Sequence, residues 1–184
     1  MVLATRRGRS TLVAAKVVAG LAYATALFAL SAAIVVGVSL AFYGADGFGL
    51  SVQGTALSSP YPLTAGQAAL ATVGLMYAAC LGFSCLTLAL SSRTPSTLAV
   101  FLADVVLVLL TGLVPSAGVG ALERALALFP INFANFSVLF SALESYPLGP
   151  FVLALIGMVL IVYAALALVS TSVAVVSFRG RQVA

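Results

Sequence analysis

Hydrophobic residues run through this chain in four long blocks. Three carry no charge at all: Val17 to Tyr43, Ala65 to Ser92 and Leu148 to Phe178. The fourth, Thr97 to Pro115, is broken only by Asp104. A spanning helix needs about 20 predominantly apolar residues to cross a hydrocarbon core of about 30 Å. Inside hydrocarbon every backbone N–H and C=O must be paired within the structure, so blocks of this length are expected as helices. The pattern predicts an all-α, polytopic membrane protein. It has one membrane domain over 1–184 and four transmembrane helices at about 17–43, 65–92, 97–115 and 148–178.

The connections are legible too. The 43–65 segment is broken by Gly and Pro, and its Tyr43, Phe48 and Tyr61 suit the headgroup region, where aromatic rings collect. Thr64 is a candidate N-cap ahead of Gln67. The turn S-S-R-T-P-S at 91–96 is tight, so spans two and three are expected as antiparallel neighbours, with Pro95 in the first turn of span three. Residues 116–147 are the least regular. Val119, Leu122, Leu126 and Phe129 recur at helical spacing, F-P-I-N interrupts, and Phe133, Phe136, Val138, Leu139, Phe140 and Leu143 suggest a second short apolar helix. Neither piece is long enough to span, so 116–147 is expected as a broken helical segment, re-entrant or interfacial, on the outer side before the last span.

Composition supports the class. Of 184 residues, 63% are hydrophobic and 7% charged, and mean hydropathy is +1.25; a soluble domain carries about 25% charged residues. The net charge of +4 matters through its placement and implies no nucleic acid. Arg6, Arg7, Arg9 and Lys16 precede the first span, Arg93 lies between the second and third, and Arg179 and Arg181 follow the fourth. With four crossings these fall on one side. Asp46, Glu123 and Glu144 fall on the other, with Arg124 as its one cation. This positive-inside pattern predicts cytoplasmic termini. A cleaved signal peptide competes for the start, but its apolar region would run about 7–15 residues, far short of 17–43.

Little reactive chemistry is present. The chain contains no His and no G-x-x-x-x-G-K-[ST] phosphate loop. Cys80 and Cys85 match no metal spacing and read as small packing residues. No enzyme, catalytic residue, metal site or cofactor is expected. Two features remain. Asp104 lies about 10 Å into the third span, counted from Thr97 at 1.5 Å per residue. An ionised Asp there costs about 2.5–3.5 kcal/mol on insertion scales, so it must face protein or a water cavity, or be protonated. It marks either a polar point in a substrate path or seam, or a packing hydrogen bond to a neighbouring Ser, Thr or backbone group. The other feature is T-R-R-G-R-S-T-L-V-A-A-K, Thr5 to Lys16. It is a topology anchor worth about 1 kcal/mol per cation near anionic lipid, or in addition a docking surface for a cytoplasmic partner built on Arg6, Arg7, Arg9 and Lys16.

The second reading gains from a resemblance. Thr5, Arg9, Leu12 and Lys16 are placed as in the cytoplasmic coupling segment of type-2 ABC transporter permeases, which precedes the third of six spans. Arg6 replaces the usual Pro and Gly8 the usual Ser. S-S-P-Y-P-L-T at 58–64, F-P-I-N-F-A-N at 129–135 and the basic F-R-G-R-Q-V end are also similar. The chain resembles the C-terminal four-span portion of such a permease. The resemblance implies a permease subunit, most simply an exporter in a prokaryotic plasma membrane, with ATP hydrolysis in a separate ABC ATPase. It also implies a second permease chain, or the two missing spans supplied by another subunit, and lipid all round. The alternative is a small membrane scaffold or assembly subunit with no transport path of its own.

Overall fold

The computed structural model describes residues 6–55, 59–113, 120–135, 139–140, 145–148 and 151–180. The chain is mostly helical. In order it forms α1 (Arg6–Tyr43), a 3-10 turn (Asp46–Gly49), α2 (Val52–Thr55), α3 (Ala65–Arg93), α4 (Thr97–Leu113), α5 (Gly120–Ala127), α6 (Pro130–Phe133), strands β1 (Ser145–Leu148) and β2 (Phe151–Ala154), and α7 (Leu155–Gly180). Three helices, α1, α3 and α7, are long and apolar enough to cross a membrane, which marks the chain as a membrane protein. α4, at 17 residues, is a shorter apolar helix.

Local chemistry sets the helix limits. α1 ends at Gly44, whose φ of 72° is left-handed and costs glycine nothing; its N–H closes on Leu40 O at 3.0 Å. α3 starts with a capping box. Thr64 Oγ1 accepts from Gln67 N at 3.3 Å, and Gln67 Oε1 accepts from Thr64 N at 3.0 Å. Between them the 43–65 segment is pinned. Val52 N donates to Leu63 O at 2.9 Å and Ala65 N to Leu50 O at 2.8 Å. At the 91–96 turn, Pro95 lies just ahead of α4 and not in its first turn. Ser96 caps the helix instead, its Oγ accepting from Ala99 N at 3.4 Å.

The expectation of an all-α chain needs one correction. The block read as a span from 148 begins as a β-hairpin, Ser145–Leu148 against Phe151–Ala154, antiparallel with Tyr146 opposite Leu153. The helix starts only at Leu155. Pro147 and Pro150 explain the shift: neither has an N–H to donate to a helix, and Pro147 sits in a strand of a two-stranded sheet, where an edge tolerates it. In the 116–147 segment α5 and α6 form the first short helix and the break; Val119, Phe136, Val138 and Leu143 lie outside the described residues.

α3 and α7 form the central pair. α3 buries Ala68, Leu75, Ala79, Gly82, Cys85, Ala89 and Ser92, a stripe of roughly 3.5-residue spacing. α7 buries Leu155, Val159, Tyr163, Ser170 and Ala174 against it. Gly82 lies against Tyr163, Cys85 Sγ accepts from Thr171 Oγ1 at 3.5 Å, and Ser177 Oγ donates to Ser92 O at 3.0 Å. Both numbers rise together, so the two helices run parallel. α1 runs antiparallel to α3: Gly20 meets Leu88 and Thr25 meets Tyr77 at 3.1 Å. α4 turns back beside α3 and reaches α6. At one end of this bundle sit Lys16, Arg93 and the close of α7. At the other end Val52, Phe133, Leu139, Phe140 and Tyr146 are buried over Leu75, Leu155 and Val159.

Gly82 sets the separation of the central pair. A Cβ there would meet Tyr163 Cδ1 at 2.7 Å, whereas one at Gly37 would meet nothing within 4 Å. Overpacking a tight contact costs about 1–3 kcal/mol. Gly82→Val should therefore lower the thermal unfolding temperature of the detergent-solubilised protein, while Gly37→Ala should leave it unchanged. Equal behaviour of the two variants would contradict this account of the seam.

Candidate functional site: the Asp104 cleft

Asp104 projects from the second turn of α4 back toward α3, where Thr87 stands opposite. Thr87 Oγ1 lies 2.7 Å from Asp104 Oδ2 and 2.9 Å from its own-helix carbonyl, Phe83 O. A hydroxyl has one proton, so it serves the carboxylate or the carbonyl, not both at once. Asp104 Oδ1 is buried and has no hydrogen-bond partner. The side chain faces protein, as its cost in lipid requires, and half of its hydrogen-bonding capacity is unused.

This carboxyl lies at the inner end of a cavity of about 580 Å³. Thr87 and Ser91 of α3 line it, with Thr94 and Pro95 of the turn, and Thr97, Val100 and Phe101 of α4. α1 contributes Lys16. The Lys16 backbone, four residues before Gly20, stands near the level of Ser92, about one turn toward the helix ends from Thr87. One cation, one carboxylate and four hydroxyl side chains thus share one cleft.

The sequence presents Lys16 and Asp104 as separate candidates, one in a basic docking segment and one in a span. The fold brings these two together. Arg6, Arg7 and Arg9 are placed in the first turns of α1, and their side chains lie outside the described residues. Sequence reasoning misses the hydroxyl partners, although a signal exists. A tight turn at 94–96 pairs residues equidistant from it, and Thr87 and Asp104 lie eight and nine residues from Pro95.

A second set of polar side chains does structural work at the opposite end. Asn132 Nδ2 donates to Leu126 O at 2.7 Å, Tyr146 Oη to Arg124 O at 2.8 Å, and Tyr163 Oη to Leu128 O at 3.1 Å. These carbonyls belong to the last turn of α5 and its exit, where regular i to i+4 pairing ends; Leu126 O also accepts from Phe129 N at 3.1 Å. Nearby, Tyr61 packs edge-on to Phe140 with ring centres 6.2 Å apart, and burial pushes its phenol up from the ordinary tyrosine value. Among the described residues no three His, Cys, Asp or Glu side chains converge as a metal site would require.

No family model, curated protein or solved structure matches the chain.

The Thr87–Asp104 contact makes a quantitative expectation. Removing the hydroxyl leaves a buried carboxylate with no partner, a loss of about 1–3 kcal/mol. Thr87→Val should cost that much beside Asp104 and little beside Asp104→Leu, a coupling visible in a double-mutant cycle of thermal unfolding. Asp104→Asn, which keeps an acceptor for Thr87, should stay near wild type. An equal cost of Thr87→Val in both backgrounds would show that the bond contributes nothing.

Proposed function

We propose that the chain is the permease part of an ABC-type transporter, powered by a separate cytoplasmic ATPase that docks on its basic N-terminal segment. The observation that supports this most directly is the continuity of α1. Arg6, Arg7, Arg9 and Lys16 belong to the same unbroken helix of 38 residues as the first apolar block. At 1.5 Å per residue it is about 57 Å long, against a hydrocarbon core of about 30 Å. The 27 residues after Lys16 alone measure about 40 Å, more than the hydrocarbon needs, so the basic turns stand beyond it. A stiff rod held by a partner at one end converts the partner's movement into a tilt of the span.

The cleft is where such a tilt would register. α1 rests on α3 through Gly20, Ala24, Thr25 and Phe28, while from Ala33 to Tyr43 it is exposed on every side. Tilting α1 moves Lys16 relative to α4 and changes the width of the cleft. The transport path would lie between paired permease halves, from a second copy or from helices of another subunit. The chain would supply walls and a lever, and ATP hydrolysis would take place elsewhere. Four crossings fit this reading. α3 and α7 run parallel, so the chain must return between them, and α4 at about 25 Å is at the short end of a span.

A membrane scaffold is the second reading, favoured by the exposed outer half of α1, a surface on which other helices could pack. The two readings separate on one experiment. The tagged chain, isolated from its native membrane, should carry an ABC ATPase with it. Arg9→Gln with Lys16→Gln should weaken that association while insertion, held by Arg6 and Arg7, persists. Isolation with other membrane proteins and no ATPase would favour the scaffold. Topology is checked separately. In intact cells an impermeant thiol reagent should reach a cysteine placed at Asp46 and not one at Pro95; both positions are exposed. Labelling at 95 would invert the arrangement.

A further inference from the structure

Most hydroxyls of α3 are spent on the helix itself. Thr72, Ser84, Thr87 and Ser92 each donate to a carbonyl three or four residues back. Three hydroxyls at the outer part of the Asp104 cleft are not used in this way. Ser91 near the end of α3, Thr94 in the turn and Thr97 at the start of α4 make no side-chain hydrogen bond among the described residues. All three line the cleft, together with Lys16. The first N–H groups of α4, at Thr97 and Leu98, have no acceptor inside the helix and carry the positive end of its dipole. α3 is about 43 Å long against a hydrocarbon core of about 30 Å. Set evenly across that core, its last few residues, Ser91 among them, stand at headgroup level.

We infer that this end of the cleft binds the phosphate of one anionic phospholipid, held by the Lys16 ammonium and the hydroxyls of Ser91, Thr94 and Thr97. The inference does not rest on the transporter reading. The Lys16 ammonium has three N–H donors, and donors that are charged make the stronger bonds to phosphate oxygens. The one acid of the cleft, Asp104, is seven residues inward from Thr97, about 10 Å along α4. It repels an anion from the inner end and leaves the outer end to it. A lipid is favoured over free phosphate by the wall one turn inward. Val100 and Phe101 line the cleft there, and Phe101 is 62% exposed. That is the depth at which the glycerol and first methylenes of a lipid lie below its phosphate, and free phosphate has nothing to place against them.

The purified chain in detergent, offered equimolar phosphatidylglycerol and phosphatidylcholine with identical acyl chains, tests this by native mass spectrometry. One phosphatidylglycerol should be retained per chain, about tenfold over phosphatidylcholine, the value of a charged hydrogen bond. The two charges of the cleft should act with opposite sign. Lys16→Gln should abolish the preference. Asp104→Asn removes a like charge about 10 Å from the phosphate and should raise retention of phosphatidylglycerol roughly threefold. Arg93→Gln, at the same end of the bundle but outside the cleft lining, should keep the preference. Equal retention of the two lipids by the wild-type chain overturns the proposal. A loss in Arg93→Gln as large as that in Lys16→Gln overturns it too, since that is general attraction to a basic surface, and so does the absence of a gain in Asp104→Asn. Displacement of phosphatidylglycerol by equimolar inorganic phosphate overturns the lipid as the source of the phosphate.

Discussion

The close approach of α3 and α7 at Gly82 is the contact on which the rest of the bundle depends. Between helices in lipid there is no hydrophobic drive to associate, because the tails are as apolar as leucine. What holds a pair together is van der Waals contact at short range and a few interhelical hydrogen bonds. α3 meets both needs along one stripe: Ala79, Gly82, Cys85 and Ala89 are small enough to admit α7, and Ser92 O accepts from Ser177. Tyr163 fills the space left by the missing Gly82 side chain, and its hydroxyl then reaches Leu128 O. One small residue in α3 therefore positions a tyrosine that secures the break after α5. The flanking helices α1 and α4 run opposite to α3, which offsets the aligned dipoles of the parallel pair.

Parallel packing has a further consequence. α3 ends where α7 ends, so the chain between them must travel the length of the bundle before α7 begins. α4 begins that return, and the segment after it closes over Leu75, Leu155 and Val159 as short pieces. Broken backbone is tolerable near a bilayer only where it is buried in protein or faces water, with its polar groups satisfied. Asn132, Tyr146 and Tyr163 satisfy the three carbonyls at the exit of α5, and Phe133, Leu139 and Phe140 bury the same segment against α3 and α7. This irregular segment is thus specified by side-chain-to-backbone bonds over sequence separations of six to 35 residues.

Those separations explain what can be foreseen. Helices α1, α3 and α7 are legible because length and apolarity in hydrocarbon leave the backbone no other solution. The Thr64 cap and the tight turn before α4 are legible because they are local. Composition misplaces the start of α7: Leu148 to Ala154 is as apolar as the helix beyond it, and only Pro147 and Pro150 signal that a helix cannot yet begin. Glycine alone is a weak guide to packing: Gly82 and Gly20 sit in tight contacts, while a Cβ at Gly37 would touch nothing. Nothing local to Tyr146 or Asn132 announces the carbonyls they reach, since that depends on how α5 folds back.

The cleft shows the same division between local and long-range information. Asp104 alone is a carboxyl in an apolar helix, and depth alone makes it costly. Its surroundings change the balance. Lys16 belongs to the same cavity, so the cleft as a whole holds one charge of each sign, and Thr87, Ser91, Thr94 and Thr97 supply hydroxyls along the path between them. The two charges stand on different helices, α1 and α4, and both of those helices pack on α3. α1 also touches α7, so Lys16 is placed by the central pair and Asp104 by α3. The polar cleft is therefore assembled from three helices, one of them the helix that carries the basic N-terminal turns. A leucine at 104 would satisfy the membrane better, but it would leave the Thr87 hydroxyl only its own-helix carbonyl to serve and would take the one acid out of the cleft that Lys16 lines.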